Sequence, residues 1–421
     1  MRDQPIAPAP ARRVWRRPML SRGSSEEHRA STPLELFFDL CFVVAVAQAA
    51  AQLHHALASG QVAHGLVGYA AVFFAIWWAW MNFTWFASAY DTDDVLYRVA
   101  TLVQIAGVLV LAAGVPRAFD DDFVIVTIGY LLMRVALSAQ WLRAARDDRP
   151  RRSCALRSAA GISACQVGWV ARLALPDPWG TVGFAVLVVL ELAVPIWAER
   201  AGSLHWHPAH IAERYGLFTL IVLGESVAAA TTAVQSALDS GQALGELLTL
   251  AAGGLLIVFS MWWLYFEQHA EERLSTTNLT SFVWGYGHYL IFASAAGVGA
   301  GLQVAVDHGT GHAELAAWGA GAAVAVPVAL YLLSVWLLHA GGEPRRSLRR
   351  IAYPLTALLV LAAIALGEAV LLIGLLAAAL VAVRLLTEPL AAPWSRCGMS
   401  DGYPRRRSRC VAVSRKGGSG S

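Results

Sequence analysis

The chain has 421 residues, of which 57% are hydrophobic and only 14% charged, with a formal net charge of +3 and a mean hydropathy of +0.53. That balance excludes a soluble globular domain, which carries about a quarter charged residues. It also excludes a nucleic-acid binder, because no basic motif interleaved with aromatics occurs.

Apolar runs of about 20 residues, enough to cross roughly 30 Å of hydrocarbon at 1.5 Å per residue, recur from end to end. The expected fold is all-α: a polytopic transmembrane helix bundle. Residues 1–30 are rich in Pro and Arg and are expected to be a disordered basic tail. Twelve spans follow, over 33–57, 62–88, 95–115, 121–143, 153–175, 179–199, 209–235, 243–266, 278–304, 313–339, 350–367 and 368–386, the last two divided only by Gly367 and Glu368. Residues 389–421, with Arg405-Arg406-Arg407 and a closing Gly-Gly-Ser-Gly-Ser, form a second disordered tail. Ala45-Val46-Ala47 behind an Arg-rich start resembles a secretory leader, but Glu35 and Asp39 inside the apolar run argue against one.

Arg and Lys are retained on the cytoplasmic side of short loops. The first tail holds Arg12, Arg13, Arg16, Arg17, Arg22 and Arg29, and the even-numbered loops hold Arg98, Arg143 through Arg152, Arg200 and Arg214, Arg273, and Arg345 through Arg350. The odd loops offer only Arg117 and Arg172. Both termini are therefore expected in the cytoplasm, with the protein in the bacterial cytoplasmic (inner) membrane and the lipid bilayer as its main partner. The five cysteines contain no C-x-x-C pair and are expected to be free thiols.

Trp77-Trp78-Ala79-Trp80 in the second span is echoed by Trp262-Trp263 in the eighth, and each precedes an acidic loop. Gly107 and Gly114 correspond roughly to Gly297, Gly299 and Gly301. This points to two six-helix halves, 31–205 and 206–388, in the same orientation. Trp77, Trp78, Trp80 and Trp85 are expected first as an interfacial belt, with substrate stacking the alternative, and Gly297 with Gly301 to permit close helix approach, within the chain or in a homodimer.

Ionisable side chains within the spans are the candidates for function, since a charge at bilayer depth costs roughly 3 kcal/mol or more and persists only beside a partner or water. Glu35 and Asp39, at i and i+4, share one face of the first span and repel each other unless an Arg lies nearby. In the seventh, His210, Arg214, Ile221 and Glu225 fall along one stripe, with Arg214 expected to reach the interface and Glu225 near mid-membrane. Arg134 in the fourth span and Glu191 in the sixth are candidate counter-charges for a buried pair that engages all five guanidinium donors. Glu213, His288, Asp91 and Asp94 complete the set. His205, His207, His210 and Glu213 have a metal-like spacing, but Pro208 interrupts it and no second cluster supports it, so no metal is expected.

Leu34-Glu35-Leu36-Phe37-Phe38-Asp39-Leu40, the Trp77–Trp80 cluster leading to Tyr90-Asp91-Thr92-Asp93-Asp94, and His210-Ile211-Ala212-Glu213-Arg214-Tyr215-Gly216-Leu217-Phe218 running on to Leu223-Gly224-Glu225 resemble the bacterial low temperature requirement A family, over about residues 30 to 390. The resemblance implies a polytopic membrane protein, and it constrains fold far more than mechanism. No Walker loop, dinucleotide fingerprint or nucleophile elbow occurs, so no cofactor or bound ATP is expected, and a membrane-embedded enzyme ranks low. The leading expectation is a secondary transporter or permease of a small solute or ion, proton-coupled through Asp39 or Glu225, with Asp39, Arg134 and Glu225 converging on a midplane cavity. The alternative is a channel-like conductor, similar to potassium channels with a Phe-Ser-Asp motif. Here Phe38 replaces the Ser, and the second half has no copy.

Overall fold

The computed structural model describes residues 15–22, 30–240, 244–267, 274, 278–339, 348–366 and 369–387. The expected tail from 389, Cys397, Cys410, Gly367 and Glu368 lie outside them. Among the described residues there are twelve α-helices and no strand: α1 Pro33–Ala58, α2 Val62–Tyr90, α3 Val95–Phe119, α4 Val124–Asp147, α5 Arg152–Arg172, α6 Trp179–Glu199, α7 Pro208–Ser240, α8 Leu244–Phe266, α9 Asn278–Gly309, α10 Ala317–His339, α11 Leu348–Ala362 and α12 Ala369–Leu386. Ten of them are long and apolar enough to cross a membrane, against the twelve spans expected. The exceptions are α5, where Arg152, Arg157 and Arg172 lower the hydropathy, and α11, which is too short. Large apolar side chains such as Val67, Val135, Val189, Leu337 and Leu358 stay more than half exposed on the outer surface, as lipid contact requires.

Local chemistry fixes the helix starts. At α1, Pro33 occupies the first turn, where its missing N–H costs nothing, and Thr32 with Glu35 forms a reciprocal capping box. At α3, Asp94 caps the helix by accepting the Tyr97 N–H at 2.8 Å.

Packing follows the chain order. α1 packs on α2 and α3, α3 runs along α4, α4 meets α5 and α5 meets α6; then α7 packs on α8 and α9, α9 runs along α10, α10 meets α11 and α11 meets α12. The seam between these two groups is formed by α1 and α2 against α7 and α9. Glycine allows the tightest approaches: a Cβ on Gly107 would lie 2.7 Å from the Gly129 carbonyl oxygen, so α3 and α4 touch backbone to backbone. Gly301 likewise meets the Ala323 backbone of α10, and a Cβ on Gly297 would lie 3.3 Å from the Pro327 side chain, so the face expected to permit close approach or dimerisation is covered within the chain.

Part of the expected N-terminal disorder is replaced by a folded strap. Residues 15–22 lie across the face where α1 begins, called here the near face. Arg16 pairs with Asp147 at 2.7 Å, the Met19 N–H donates to Asp147 at 3.0 Å, and Met19 is fully buried.

Candidate functional site

Asp39 is the seventh residue of α1 and Arg214 the seventh of α7, so each lies about 9 Å along its helix from the near face. The two helices run parallel here and turn these residues toward each other. Arg214 donates from Nε to Asp39 Oδ2 at 2.7 Å and from Nη2 to Oδ1 at 2.5 Å, and Trp80 of α2 adds its Nε1–H to Oδ1 at 2.7 Å. One turn nearer the surface, Glu35 Oε1 lies 3.3 Å from His210 Nε2 and 3.4 Å from Arg214 Nη1. Its Oε2 accepts from the Thr32 N–H at 2.8 Å and hydroxyl at 3.0 Å. All four ionisable groups are sealed from solvent, with exposures of 0–1%. The i, i+4 acids thus meet the Arg they need, and Arg214 turns inward to a carboxylate instead of reaching for the interface.

A second cluster lies within the first six helices. Glu191, fully buried near the middle of α6, accepts five donors: Arg134 Nη2 at 2.5 Å and Trp78 Nε1 at 2.8 Å on Oε2, and Tyr130, Gln166 and Trp169 at 3.1–3.2 Å on Oε1. The expected Arg134–Glu191 pair is present, but through one guanidinium nitrogen only. Arg134 Nε and Nη1 have no hydrogen-bond partner, and the Arg134 guanidinium lies 5.4 Å from the Tyr130 ring.

The remaining candidates do not join either cluster. Glu225 lies eleven residues beyond Arg214 on α7, about 16 Å along the helix. It is half-buried against Gly299 of α9 and has no hydrogen bond among the described residues. The expected convergence of Asp39, Arg134 and Glu225 is therefore absent: Asp39 and Arg134 are claimed by different carboxylate–guanidinium pairs on different helices. Glu213 is exposed and accepts the Ser31 N–H at 3.3 Å. His288 is buried between the Trp284 carbonyl at 2.7 Å and the Tyr265 hydroxyl at 3.1 Å. Asp91 holds Arg22 of the strap at 3.6 Å. Asp94 anchors the same strap through the Arg17 N–H at 2.6 Å and through Arg143. Burial pushes the Asp94 carboxyl up, but the hydrogen bonds from Arg143 and from the Arg17 and Tyr97 backbone outweigh it and hold it below the usual carboxylate range. His205 turns to Arg151 while His210 turns to Glu35, and among the described residues no group of three His, Cys, Asp or Glu gathers as a metal site.

Sequence spacing missed the tryptophans. Trp77, Trp78 and Trp80 are 0–2% exposed, not an interfacial belt, and two of their indole N–H groups serve the buried carboxylates. A buried indole gains from an acceptor, which Trp78 and Trp80 have and Trp77 does not. Two acids deep in nearby helices were the available signal.

These clusters are carried by a recognisable chain. Residues 30–386 match the family described as bacterial low temperature requirement A protein. The chain belongs to that family. The chain is also similar to an uncharacterized protein of Rhizobium meliloti, 27% identical over 306 residues that cover 69% of this chain and 72% of the relative. No solved structure matches it. As a family member with ten membrane-length helices among the described residues it is a multi-pass membrane protein, and the two buried charge clusters lie within the matched region.

A cavity of about 400 Å³ lies on the seam toward the far face, between the end of α1, the start of α2 and the helices α9 and α10. The lining is apolar. Its hydroxyls are spent on backbone carbonyls, Tyr69 on Ala293 at 2.7 Å, Tyr289 on Ala70 at 2.9 Å and Ser294 on Leu290 at 2.6 Å.

Proposed function

We propose that the protein is a secondary transporter of the cytoplasmic membrane, built from two six-helix halves in the same orientation with both termini in the cytoplasm, which couples movement of a small solute to a proton. The observation that carries this is a sealed cluster of ionisable groups where α1 meets α7. Glu35, Asp39, His210 and Arg214 pack there shut off from solvent, and His210 Nε2 faces Glu35 Oε1 at 3.3 Å, close enough for a proton to pass between them. A charge at this depth costs roughly 3 kcal/mol or more unless it is partnered, so opening the seam is linked to the protonation of Glu35, Asp39 or His210.

The location supports the same reading. Pro33, Glu35 and Asp39 of α1 stand opposite Pro208, His210 and Arg214 of α7 at a constant separation of 175 residues, acids on one side and bases on the other. The order of helix neighbours in α1–α6 is repeated in α7–α12, which supports two halves related by an axis along the membrane normal. Rocking of such halves parts α1 from α7 and opens these pairs. Arg143, Arg151 and Arg200 on the near face support its cytoplasmic assignment. The apolar cavity on the seam has no free hydroxyl to ligate an ion, which weighs against conduction through it.

Untargeted solute uptake by proteoliposomes, run with and without a pH gradient, tests the proposal. Wild-type uptake is expected to require the gradient; Glu35→Gln and His210→Gln are expected to lose that requirement, and Asp39→Asn to lose uptake. Wild-type, gradient-driven uptake in all three variants refutes the role, and a gradient-independent ionic current with no solute uptake replaces it with conduction.

A further inference from the structure

The cavity of about 400 Å³ on the seam is elongated and opens sideways. Its lining runs along α10 from Trp318 to Leu330, about 18 Å, and along α2 from Val62 to Ala70 and α9 from Tyr289 to Gly297, about 12 Å each. These helices cross the membrane, so the long axis follows the bilayer normal from the far face inward. Half of a hydrocarbon core of roughly 30 Å is about 15 Å, so the cavity spans the depth of one leaflet. Leu53 of α1 and Gly297 of α9 are buried on its floor, whereas Leu66 of α2 and Val326 of α10 are 51% and 52% exposed on its lips. Those lips belong to the lipid-facing surface, and the mouth opens into the bilayer.

Small residues make the room: Ala70, Ala293, Gly297, Gly319, Ala322 and Ala323 carry nothing beyond a methyl group. The polar groups of the lining are spent. Tyr69, Tyr289 and Ser294 donate to backbone carbonyls, and the Ala323 carbonyl, which Pro327 cannot pair within α10, is turned onto Gly301 of α9. The exception is Trp318. It is the second residue of α10, 68% exposed at the far-face end of the cavity, and its Nε1–H has no partner among the described residues. An apolar trough one leaflet deep, with one hydrogen-bond donor at the level of the headgroups, has the polarity of a membrane lipid: hydrocarbon along its length and ester oxygens at its end. An ion finds no ligating oxygens here. A helix of a second copy, about 10 Å across, displaces about 1,400 Å³ over the same length and is too thick to enter.

We infer that this seam cavity seats one acyl chain of a far-leaflet phospholipid between α1 and α2 on one side and α9 and α10 on the other, with the lipid's ester oxygens at Trp318. Seating of the chain does not depend on the transporter reading.

The test uses the full-length protein in proteoliposomes doped with a phosphatidylcholine that carries a diazirine at mid-chain, followed by irradiation and peptide mass spectrometry. Labelling of Leu53 and Ala293 in the cavity is expected to exceed that of Val135 and Val189, which are more than half exposed on the outer surface. Ala322→Phe fills the trough, and Val326→Phe narrows it from the exposed lip, where no buried packing is disturbed. Each is expected to lower the labelling of Leu53 and Ala293 about tenfold, the loss that follows when about two methylenes lose their place. Val189→Phe is expected to leave it unchanged. Trp318→Phe keeps the ring and removes only the donor, and is expected to lower labelling about threefold. Cavity labelling no higher than at Val135 and Val189, or wild-type labelling in monodisperse Ala322→Phe and Val326→Phe, overturns the assignment. Two other occupants would also overturn it: chains cross-linked to each other through this lining identify a second copy, and labelling by a diazirine-bearing dodecanol without labelling by the phospholipid identifies a small apolar solute. Lipid labelling without solute uptake keeps this site and removes the transporter reading, while uptake without lipid labelling does the reverse.

Discussion

Removing one partner of a buried ion pair and removing both have opposite costs, and the Asp39–Arg214 pair offers a clean comparison. Asp39 receives three charge-assisted hydrogen bonds of 2.5–2.7 Å, two of them from Arg214. Arg214→Met leaves Glu35 and Asp39 as two buried acids one helical turn apart with no guanidinium between them, and is expected to cost about 3–5 kcal/mol. Asp39→Asn leaves Arg214 with Glu35 at 3.4 Å as a remaining counter-charge, so its cost falls near the lower end, about 3 kcal/mol. The double variant Asp39→Asn with Arg214→Met removes both charges, leaves Glu35 opposite His210, and is expected to be more stable than either single variant. Denaturant titration in detergent, followed by tryptophan fluorescence across the four proteins of the cycle, measures the coupling. A double variant destabilised by the sum of the two single losses refutes the reasoning, because it would show that the two side chains do not answer each other's charge.

Three further outcomes follow from other contacts. Glu191→Gln places an NH2 donor among five donors and leaves Arg134 uncompensated, so a loss of about 3–5 kcal/mol is expected in the same titration, and a loss below about 1 kcal/mol contradicts the network. Gly129→Ala inserts a methyl against the Leu111 backbone, closer than any Cβ tolerates, and is expected to cost about 1–3 kcal/mol unless α3 and α4 separate, which cross-linking between the two helices would detect. Asp94 is held below the usual carboxylate range, so its stabilising effect is fully present above its unfolded value of about 4 and is lost as pH falls through the lower folded value. The stability gap between wild type and Asp94→Asn should therefore be constant from about pH 5 to 8 and shrink below about pH 4; a gap that grows on acidification contradicts the contact.

Apolar run length placed all twelve helices, and α1 begins at Pro33 as expected because proline and a capping box mark a helix start by local chemistry alone. Helical period likewise put Glu35 and Asp39 on one face, and depth matched Arg134 to Glu191. Period says which side of a helix a residue occupies, but not which helix lies opposite. That is why Arg214 was expected at the interface when it is bonded to α1, and why Glu225, on the same stripe but about 16 Å further along, was grouped with residues it never meets. The tryptophans failed for a related reason: an indole near a helix end fits a lipid interface as well as a buried acceptor, and only the position of α1 and α6 decides between them.

The placement of charge also accounts for the shape of the bundle. Between α8 and α12 the facing positions hold Gly253 and Gly374, with nothing to desolvate, so the backbones close. Between α2 and α6 the facing positions hold Trp78 and Glu191, and a carboxylate on α6 that must gather five donors from α2, α4 and α5 needs those helices far enough apart to fit two indoles, a phenol, an amide and a guanidinium. The cleft that opens beyond Glu191 toward the near face, lined by Trp85, Trp141, Trp206 and Phe282, is thus a consequence of satisfying one buried acid: side chains that bring donors to it also prop α6 away from α2, and the aromatic walls occupy the space that propping creates. Filling that space with apolar bulk would leave the Glu191 network intact while closing the cleft, whereas shrinking the network would let α6 collapse onto α2, so the two roles of the same helices are separable by mutation.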